Sequence, residues 1–295
     1  MTTSNFGDMP HLAGVSHRDV HVRGIRLHLA EAGQGPPLVL LHGWPQHWWC
    51  WRHLIPRLAQ DHRVLVPDLR GFGWSAAPPG DYAKATFAAD VLALLDAESL
   101  DRVRLIGHDW GGYAAFLLAL EHRERVERLV ALDVVPPWAQ RSAPHPGLLG
   151  LPLLASYQVL LATPVLGPRV LTGGTQLVRT IIRAGSGPDA SWRDDELDTY
   201  ANVLREPARA RASSACYRTF LGRELPGTLR GGDRSPELRV PALLVLGRAS
   251  PLYRILRPSA RPSLRLETIP RAGHFLPEEA PAAVLRLAQG WFAGK

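Results

Sequence analysis

The stretch Leu105-Ile106-Gly107-His108-Asp109-Trp110-Gly111-Gly112-Tyr113 sets a carboxylate at the centre of a glycine-rich turn. Before it, Arg102 to Ile106 is β-branched and apolar, which reads as a buried strand. After it, Tyr113 to His122 is rich in Ala and Leu, which reads as a helix. A sharp strand-to-helix turn of this kind is a nucleophile elbow. It strains its central residue and exposes the side chain. Small residues are needed two before and two after the centre, because a Cβ there would meet neighbouring backbone. The centre is usually Ser. A carboxylate such as Asp109 attacks carbon by displacement instead and leaves an alkyl ester, which water must then cleave. The plain alternative is a glycine-rich turn whose Asp caps a helix.

Water needs a base, and the chain offers twelve histidines. The elements around the elbow narrow the choice. Arg18–Arg23 and Ile25–Glu31 flank Gly24 as a hairpin. Leu38–Leu41 is a short continuous apolar run, as in a strand buried on both faces; Arg63–Val66, Arg102–Ile106, Val126–Leu132 and Ala242–Gly247 read as further strands of the sheet, and Leu264–Ile269 as its last. Helices are expected over Trp48–Leu58, Ala85–Leu100, Tyr113–His122 and Glu278–Phe292. Strands alternating with helices imply a parallel sheet, whose ligands meet the carboxyl ends of the strands. His42, Asp68, Asp109 and Asp133 stand at such ends, and His274 follows the last strand. From Pro136 to about Glu237 the alternation stops. Helical segments at Gly147–Leu161, Gly174–Arg183, Asp194–Leu204 and Ala208–Leu221 form an insertion of about a hundred residues, cut by Pro- and Gly-rich turns.

Four motifs in order, His42-Gly43-Trp44-Pro45, Asp68-Leu69-Arg70-Gly71-Phe72-Gly73-Trp74-Ser75, Gly107-His108-Asp109-Trp110-Gly111-Gly112 and Gly273-His274-Phe275, resemble the α/β-hydrolase superfamily. Within it they are similar to the branch of epoxide hydrolases and haloalkane or haloacid dehalogenases. The resemblance runs from about Val20 to Phe292. It implies an α/β core with a mostly parallel eight-stranded sheet, residues 17–135 and 238–295, and an all-helical cap, residues 136–237. It implies Asp109 as nucleophile and His274 as general base, since an imidazole neutral near pH 7 can take a proton from water. The backbone N–H groups of Trp44 and Trp110 are the implied oxyanion hole. A cis bond before Pro45 is implied as well. His42 reads as a buried histidine that orients its loop. With Pro45, Trp138 and Phe275 it is expected beside the substrate pocket.

Most of the superfamily places the acid partner of the base after the strand matching Ala242–Gly247. Here that loop, Arg248-Ala249-Ser250-Pro251-Leu252-Tyr253, has no carboxylate. The other position used in this branch, notably by fluoroacetate dehalogenases, is the end of the preceding strand, and Asp133 is there. Such an Asp fixes the tautomer of the imidazole; otherwise it merely caps the strand end.

The leaving group separates the two activities. An opening epoxide gives an alkoxide, which needs an O–H donor, and the family's epoxide hydrolases supply two cap tyrosines. Tyr157 and Tyr217 match those places, and a tyrosine suits that proton transfer; otherwise they are ordinary helix packing. A halide needs only weak N–H donors, one of which Trp110 could supply. Fluoroacetate dehalogenases hold the substrate carboxylate with arginines, where this chain has Trp110 and Tyr113. The expectation is an epoxide hydrolase, with a dehalogenase as the alternative. A non-catalytic small-molecule-binding protein on the same fold is the second alternative.

Composition agrees with an ordinary enzyme. The 295 residues are 46% hydrophobic and 21% charged, with a formal net charge of +7. Nearly all the positive charge is Arg, scattered rather than clustered, which reads as GC-rich bacterial codon bias and not as a nucleic-acid surface. Cys50 and Cys216 suggest neither a disulfide framework nor a metal site. Met1–Pro10 has no apolar signal region, and the apolar stretch Leu148–Leu161 is too interrupted to span a membrane. The expectation is a cytoplasmic monomer or homodimer without metal or organic cofactor, acting on a small hydrophobic epoxide and water.

Overall fold

The computed structural model describes residues 8–138, 151–226, 237–255 and 261–294. Eight strands form one sheet: β1 Ser16–Val22, β2 Ile25–Ala32, β3 Pro37–Leu41, β4 Arg63–Pro67, β5 Val103–His108, β6 Val126–Leu132, β7 Ala242–Gly247 and β8 Leu264–Ile269. Their order is β1-β2-β4-β3-β5-β6-β7-β8. The β1–β2 and β2–β4 pairs are antiparallel and the others parallel. Helices α1 Lys84–Ala97 and α2 Asp109–Glu121 follow β4 and β5. Leu38–Leu41, Val64–Val66 and all of β7 are buried, as strands covered on both faces must be. The four central parallel strands thus bring Leu41, Pro67, His108 and Leu132 to one edge, where the chemistry-bearing loops begin.

Between β6 and β7 the described chain is helical: α3 Leu151–Ala162, α4 Leu166–Thr172, α5 Gln176–Gly185, α6 Asp194–Val203 and α7 Pro207–Thr219, followed by a wider π turn, Phe220–Glu224. No strand occurs there among the described residues. Helix α7 packs on α3 and α4, and α5 on α6. The expected start of α3 at Gly147–Gly150 lies outside the described residues, as do residues 1–7 of the N-terminal arm. From Met9 onward the arm is anchored, since Met9, Leu12 and Val15 pack on the core.

Three expectations need correction. Trp48–Leu58 is not one helix. It is a 3₁₀ turn, Trp48–Trp51, then a short helix, Ile55–Leu58. The Trp48 N–H donates to Asp68 Oδ1 at 2.7 Å, and the His47 ring accepts from Trp49 N–H. These bonds cap the start of the run, whose first N–H groups have no partner within a helix; the break comes at Pro56, which has no N–H to donate back to Arg52 and opens the second helix. The last helix is also split, into Leu276–Glu279 and α8 Pro281–Phe292, because Pro281 lacks the N–H that continuation would use. Helix α2 starts four residues earlier than its Ala/Leu run suggests, at Asp109 itself.

The buried Asp68 ties the front edge together. Its carboxylate accepts from Trp48 N–H, from Trp74 N–H at 2.9 Å and from the His28 ring at 2.7 Å. Burial raises the Asp68 carboxyl, but the His28 charge and hydrogen bond, with His47 and His42, outweigh it and hold it far below the ordinary value. A depressed carboxyl stabilises the fold fully above its unfolded value, and the contribution fades as pH falls toward the folded one. Asp68→Asn is expected to cost about 3 kcal/mol at pH 7. The gap to the parent protein should narrow as the pH falls below about 4. Urea unfolding at several pH values checks both statements.

Candidate active site

The elbow is present. Asp109 has φ +49°, in the left-handed region that costs a non-glycine residue about 1–3 kcal/mol. The turn is crowded as the spacing requires. A Cβ on Gly107 would lie 2.7 Å from the Gly111 carbonyl oxygen, and one on Gly111 would lie 2.3 Å from the Leu41 carbonyl oxygen. A third glycine, Gly43, lets the opposite loop close on the carboxylate, because a Cβ there would lie 2.5 Å from Asp109 Oδ2.

The same loop supplies a donor. Trp44 N–H donates to Asp109 Oδ2 at 2.9 Å. Burial pushes the Asp109 carboxyl above its ordinary value; His274, the N–H groups of Trp44 and Trp110, and Lys84 oppose that. The peptide bond before Pro45 is cis. His42 is fully buried; its Nδ1–H donates to the Gly43 carbonyl at 3.0 Å and its Nε2 accepts from Leu69 N–H at 2.9 Å. Both ring nitrogens are thus spent on loops, in keeping with an orienting role.

His274 is held at Nδ1, 2.7 Å from Asp133 Oδ2. Asp133 is fully buried and has φ +42°. Its other acceptor sites are filled by Gly247 N–H at 3.1 Å and Ser250 Oγ–H at 2.6 Å. Burial disfavours the imidazolium, but the Asp133 bond and charge, with Asp109 and Glu279, outweigh it and raise His274 above its ordinary value. The His274 backbone is fixed from two sides: its N–H donates to the Gly185 carbonyl of α5 at 2.8 Å, and its carbonyl lies 2.9 Å from His108 Nε2. Glu279 accepts from Gly273 and Phe275 of the same loop and from Gly187 of the inserted helices.

Tyr157 on α3 and Tyr217 on α7 lie across from the carboxylate. Their rings meet edge to face at 5.9 Å, and both hydroxyls feel each other and Asp109. Burial pushes both phenols up, Tyr217 well above its ordinary value, so they are neutral donors at neutral pH. The Trp44 indole stacks on Tyr157 at 6.0 Å and meets Tyr217 edge-on at 5.3 Å, and its Nε1–H donates to Ser213 Oγ at 3.2 Å. Trp110 meets Tyr217 and Phe220. Phe275 packs edge-on against His274 at 4.9 Å and against Trp192.

The structure therefore brings together Asp109, His274, Asp133, Tyr157, Tyr217, Trp44, Trp110, Pro45, His42 and Phe275. The Trp138 ring packs against Phe116 of α2 at 5.0 Å and the Arg261 guanidinium at 4.4 Å. Ser250, Glu279, His108 and Lys84 were not singled out from sequence. Only Ser250 had a signal, as the polar residue in the loop that lacks the usual acid. Among the described residues no group of three or more His, Cys, Asp or Glu could hold a metal ion. None of their helices is long and apolar enough to cross a membrane.

A model of the α/β hydrolase fold matches residues 36–281. The chain belongs to the α/β-hydrolase fold family. This α/β hydrolase is 32% identical over 290 residues to a soluble epoxide hydrolase of Corynebacterium sp. (strain C12), covering 95% of the chain and 98% of the relative. It is 28% identical over 293 residues to a fluoroacetate dehalogenase of Burkholderia sp., covering 93% and 92%. Among solved structures, the epoxide hydrolase CorEH without ligand superposes with a TM-score of 0.83 at 29% identity, over 95% of this chain and 99% of that one.

The raised His274 is tied to the charge on Asp109. Removing that charge should lower the imidazole pKa. In Asp109→Asn, NMR titration of the ring nitrogens should show His274 losing its proton at lower pH than in the parent protein. An unchanged midpoint would mean that the two groups are not coupled.

Proposed function

We propose that this α/β hydrolase opens epoxides to vicinal diols through an ester on Asp109. The observation that carries this reading is the pair of tyrosines, Tyr157 and Tyr217, set against the Asp109 carboxylate in one aromatic pocket. The inserted helices, within residues 136–237, then act as a cap over a core of residues 17–135 and 238–295.

Asp109 attacks one epoxide carbon as the C–O bond on that carbon breaks. Negative charge moves to the epoxide oxygen, where the Tyr157 and Tyr217 O–H bonds strengthen. One of them transfers its proton. The product is a β-hydroxyalkyl ester of Asp109. Ester formation also removes one of the negative charges that raise His274, which favours the neutral imidazole for the second step. His274, oriented by Asp133, takes a proton from water. The hydroxide attacks the ester carbonyl, and the N–H groups of Trp44 and Trp110 receive the oxyanion. Collapse expels the diol oxygen, which takes the remaining proton of the added water as it leaves and returns the Asp109 carboxylate; the proton held by His274 then passes back to the tyrosinate left by the first step. The aromatic lining from Trp44, Trp110, Phe220 and Phe275 favours a hydrophobic substrate.

One observation favours dehalogenation as the second reading. The Trp110 Nε1–H is buried without a partner among the described residues, and a leaving halide could accept from it. The arginines that would hold a haloacid carboxylate are absent from Trp110 and Tyr113, which leaves haloalkanes as the substrate of that reading.

Two sets of variants separate the steps. His274→Gln should accumulate an adduct of substrate mass on Asp109, seen by intact-mass spectrometry after mixing with a hydrophobic epoxide. Tyr157→Phe with Tyr217→Phe should block the first step, so that no adduct forms. Losing one donor to a charged transition state costs roughly 10²–10³ in rate, and the double change should exceed either single one. Epoxide opening at the parental rate in the double variant would end this assignment. Halide release without diol formation across a panel of epoxides and haloalkanes would favour the second reading.

A further inference from the structure

Lys84 is fully buried, although proteins almost always leave lysine in water. The choice of residue is itself unusual here, since Lys295 is the only other lysine and the rest of the 34 Lys and Arg side chains are arginine. Lys84 opens α1. Its backbone N–H donates to Glu224 Oε1 at 2.7 Å, and its Nζ pairs with Glu224 Oε2 at 2.7 Å. The same Nζ lies 4.0 Å from the centre of the Trp110 ring and 5.1 Å from that of Phe220. The Cys216 carbonyl and Sγ are 3.5 and 3.7 Å away.

This ammonium therefore sits against the residue that follows the nucleophile, in a box of aromatic rings where charges are weakly screened. A lone buried ammonium would be costly, so Glu224 has to accompany it. Glu224 comes from the inserted helices, Lys84 from the core. The pair is a dipole whose positive end abuts the elbow. A compact ammonium fits on the face of one indole, where the broad guanidinium fork of an arginine would need more room.

We propose that Lys84 is a positioning residue for the nucleophile, pressing on the face of Trp110 and supplying the fixed positive charge that a carboxylate needs in this apolar pocket, with Glu224 linking that charge to the docking of the inserted helices. The proposal rests on Asp109 being the nucleophile. It agrees with Lys84 being among the groups that oppose the upward push of burial on Asp109. Among the described residues the other groups facing Asp109 are His274 from the loop after β8, Tyr157 from α3, Tyr217 and Cys216 from α7 and the N–H groups of Trp44 and Trp110. Those facing Lys84 are Glu224 and Cys216.

The test is the rate of ester formation on Asp109 against pH, read by rapid-quench intact mass with a hydrophobic epoxide. The background is His274→Gln, which removes the imidazole from the titration. Lys84→Met removes the positive end of the dipole and should move the acid limb up by about one pH unit, a roughly tenfold loss of rate below the limb and little loss above it. Glu224→Gln removes the negative end while keeping an amide oxygen as acceptor, and the Trp110 and Phe220 rings and the Cys216 carbonyl still face the Lys84 ammonium; with that ammonium charged, the limb should move down. Opposite shifts are the signature of charge. A purely structural latch would depress the rate in both variants at every pH without moving the limb, and that result overturns the proposal. If Lys84→Met fails to fold, the sign of the Glu224→Gln shift decides alone: downward supports the proposal, none or upward defeats it. Absence of ester already in the His274→Gln parent would overturn the function on which the proposal rests.

Discussion

Backbone crowding at one turn constrains this molecule more than any other feature. Asp109 adopts φ +49° because β5 and α2 meet there with almost no room between them. Gly107, Gly111 and Gly112 are the residues that let them meet, and Gly43 lets the loop after β3 close on the carboxylate. The strain presents the Asp109 side chain at the carboxyl edge of the sheet and starts a helix at the same residue. It also turns the Trp110 N–H toward the carboxylate beside the Trp44 N–H. Everything else at the site is arranged around an Asp109 that cannot move far.

The second group, His274, is held by a different device. Its loop follows an edge strand, β8, and leads only into the one-turn helix Leu276–Glu279. It is clasped by polar contacts from both sides of the molecule instead. Asp133 fixes the ring, and Gly247 and Ser250 fix Asp133. Gly185 and Gly187 of the inserted helices reach into the loop through the His274 N–H and the Glu279 carboxylate. Close by, Arg52 pairs with Glu278 at 2.6 Å and with Glu196 of α6 at 3.1 Å. Tyr200 also bonds to Glu278, and burial pushes that carboxyl up to about 7. The placement of the base thus depends on the inserted helices as much as on the core.

Much of this was legible from residue order. The elbow could be read from Gly107, Asp109 and Gly111 because a steric rule allows few other residues there. The sheet could be read because its central strands are short apolar runs, and their alternation with helices has few topological solutions. Asp133 was found by its place at a strand end, after the usual loop proved empty of carboxylates. What sequence did not reveal depends on contacts between distant segments. Lys84 looks like an ordinary helix-start residue until Glu224 and Trp110 are beside it. Glu279 looks like a helix-end charge until three backbone N–H groups point at it. The broken helix after Trp48 was missed although its cause is local, since Pro56 has no N–H to continue it.

The central claim is that Asp109 itself bonds to the substrate and that water then attacks the ester carbonyl, not the substrate carbon. A single turnover in H₂¹⁸O, with enzyme in excess over a hydrophobic epoxide, tests this most directly. The account predicts that the heavy oxygen enters the peptide containing Asp109, while the first diol released carries an unlabelled oxygen taken from that carboxylate. Heavy oxygen in the first diol, with none in the Asp109 peptide, would mean direct attack by water and would contradict it.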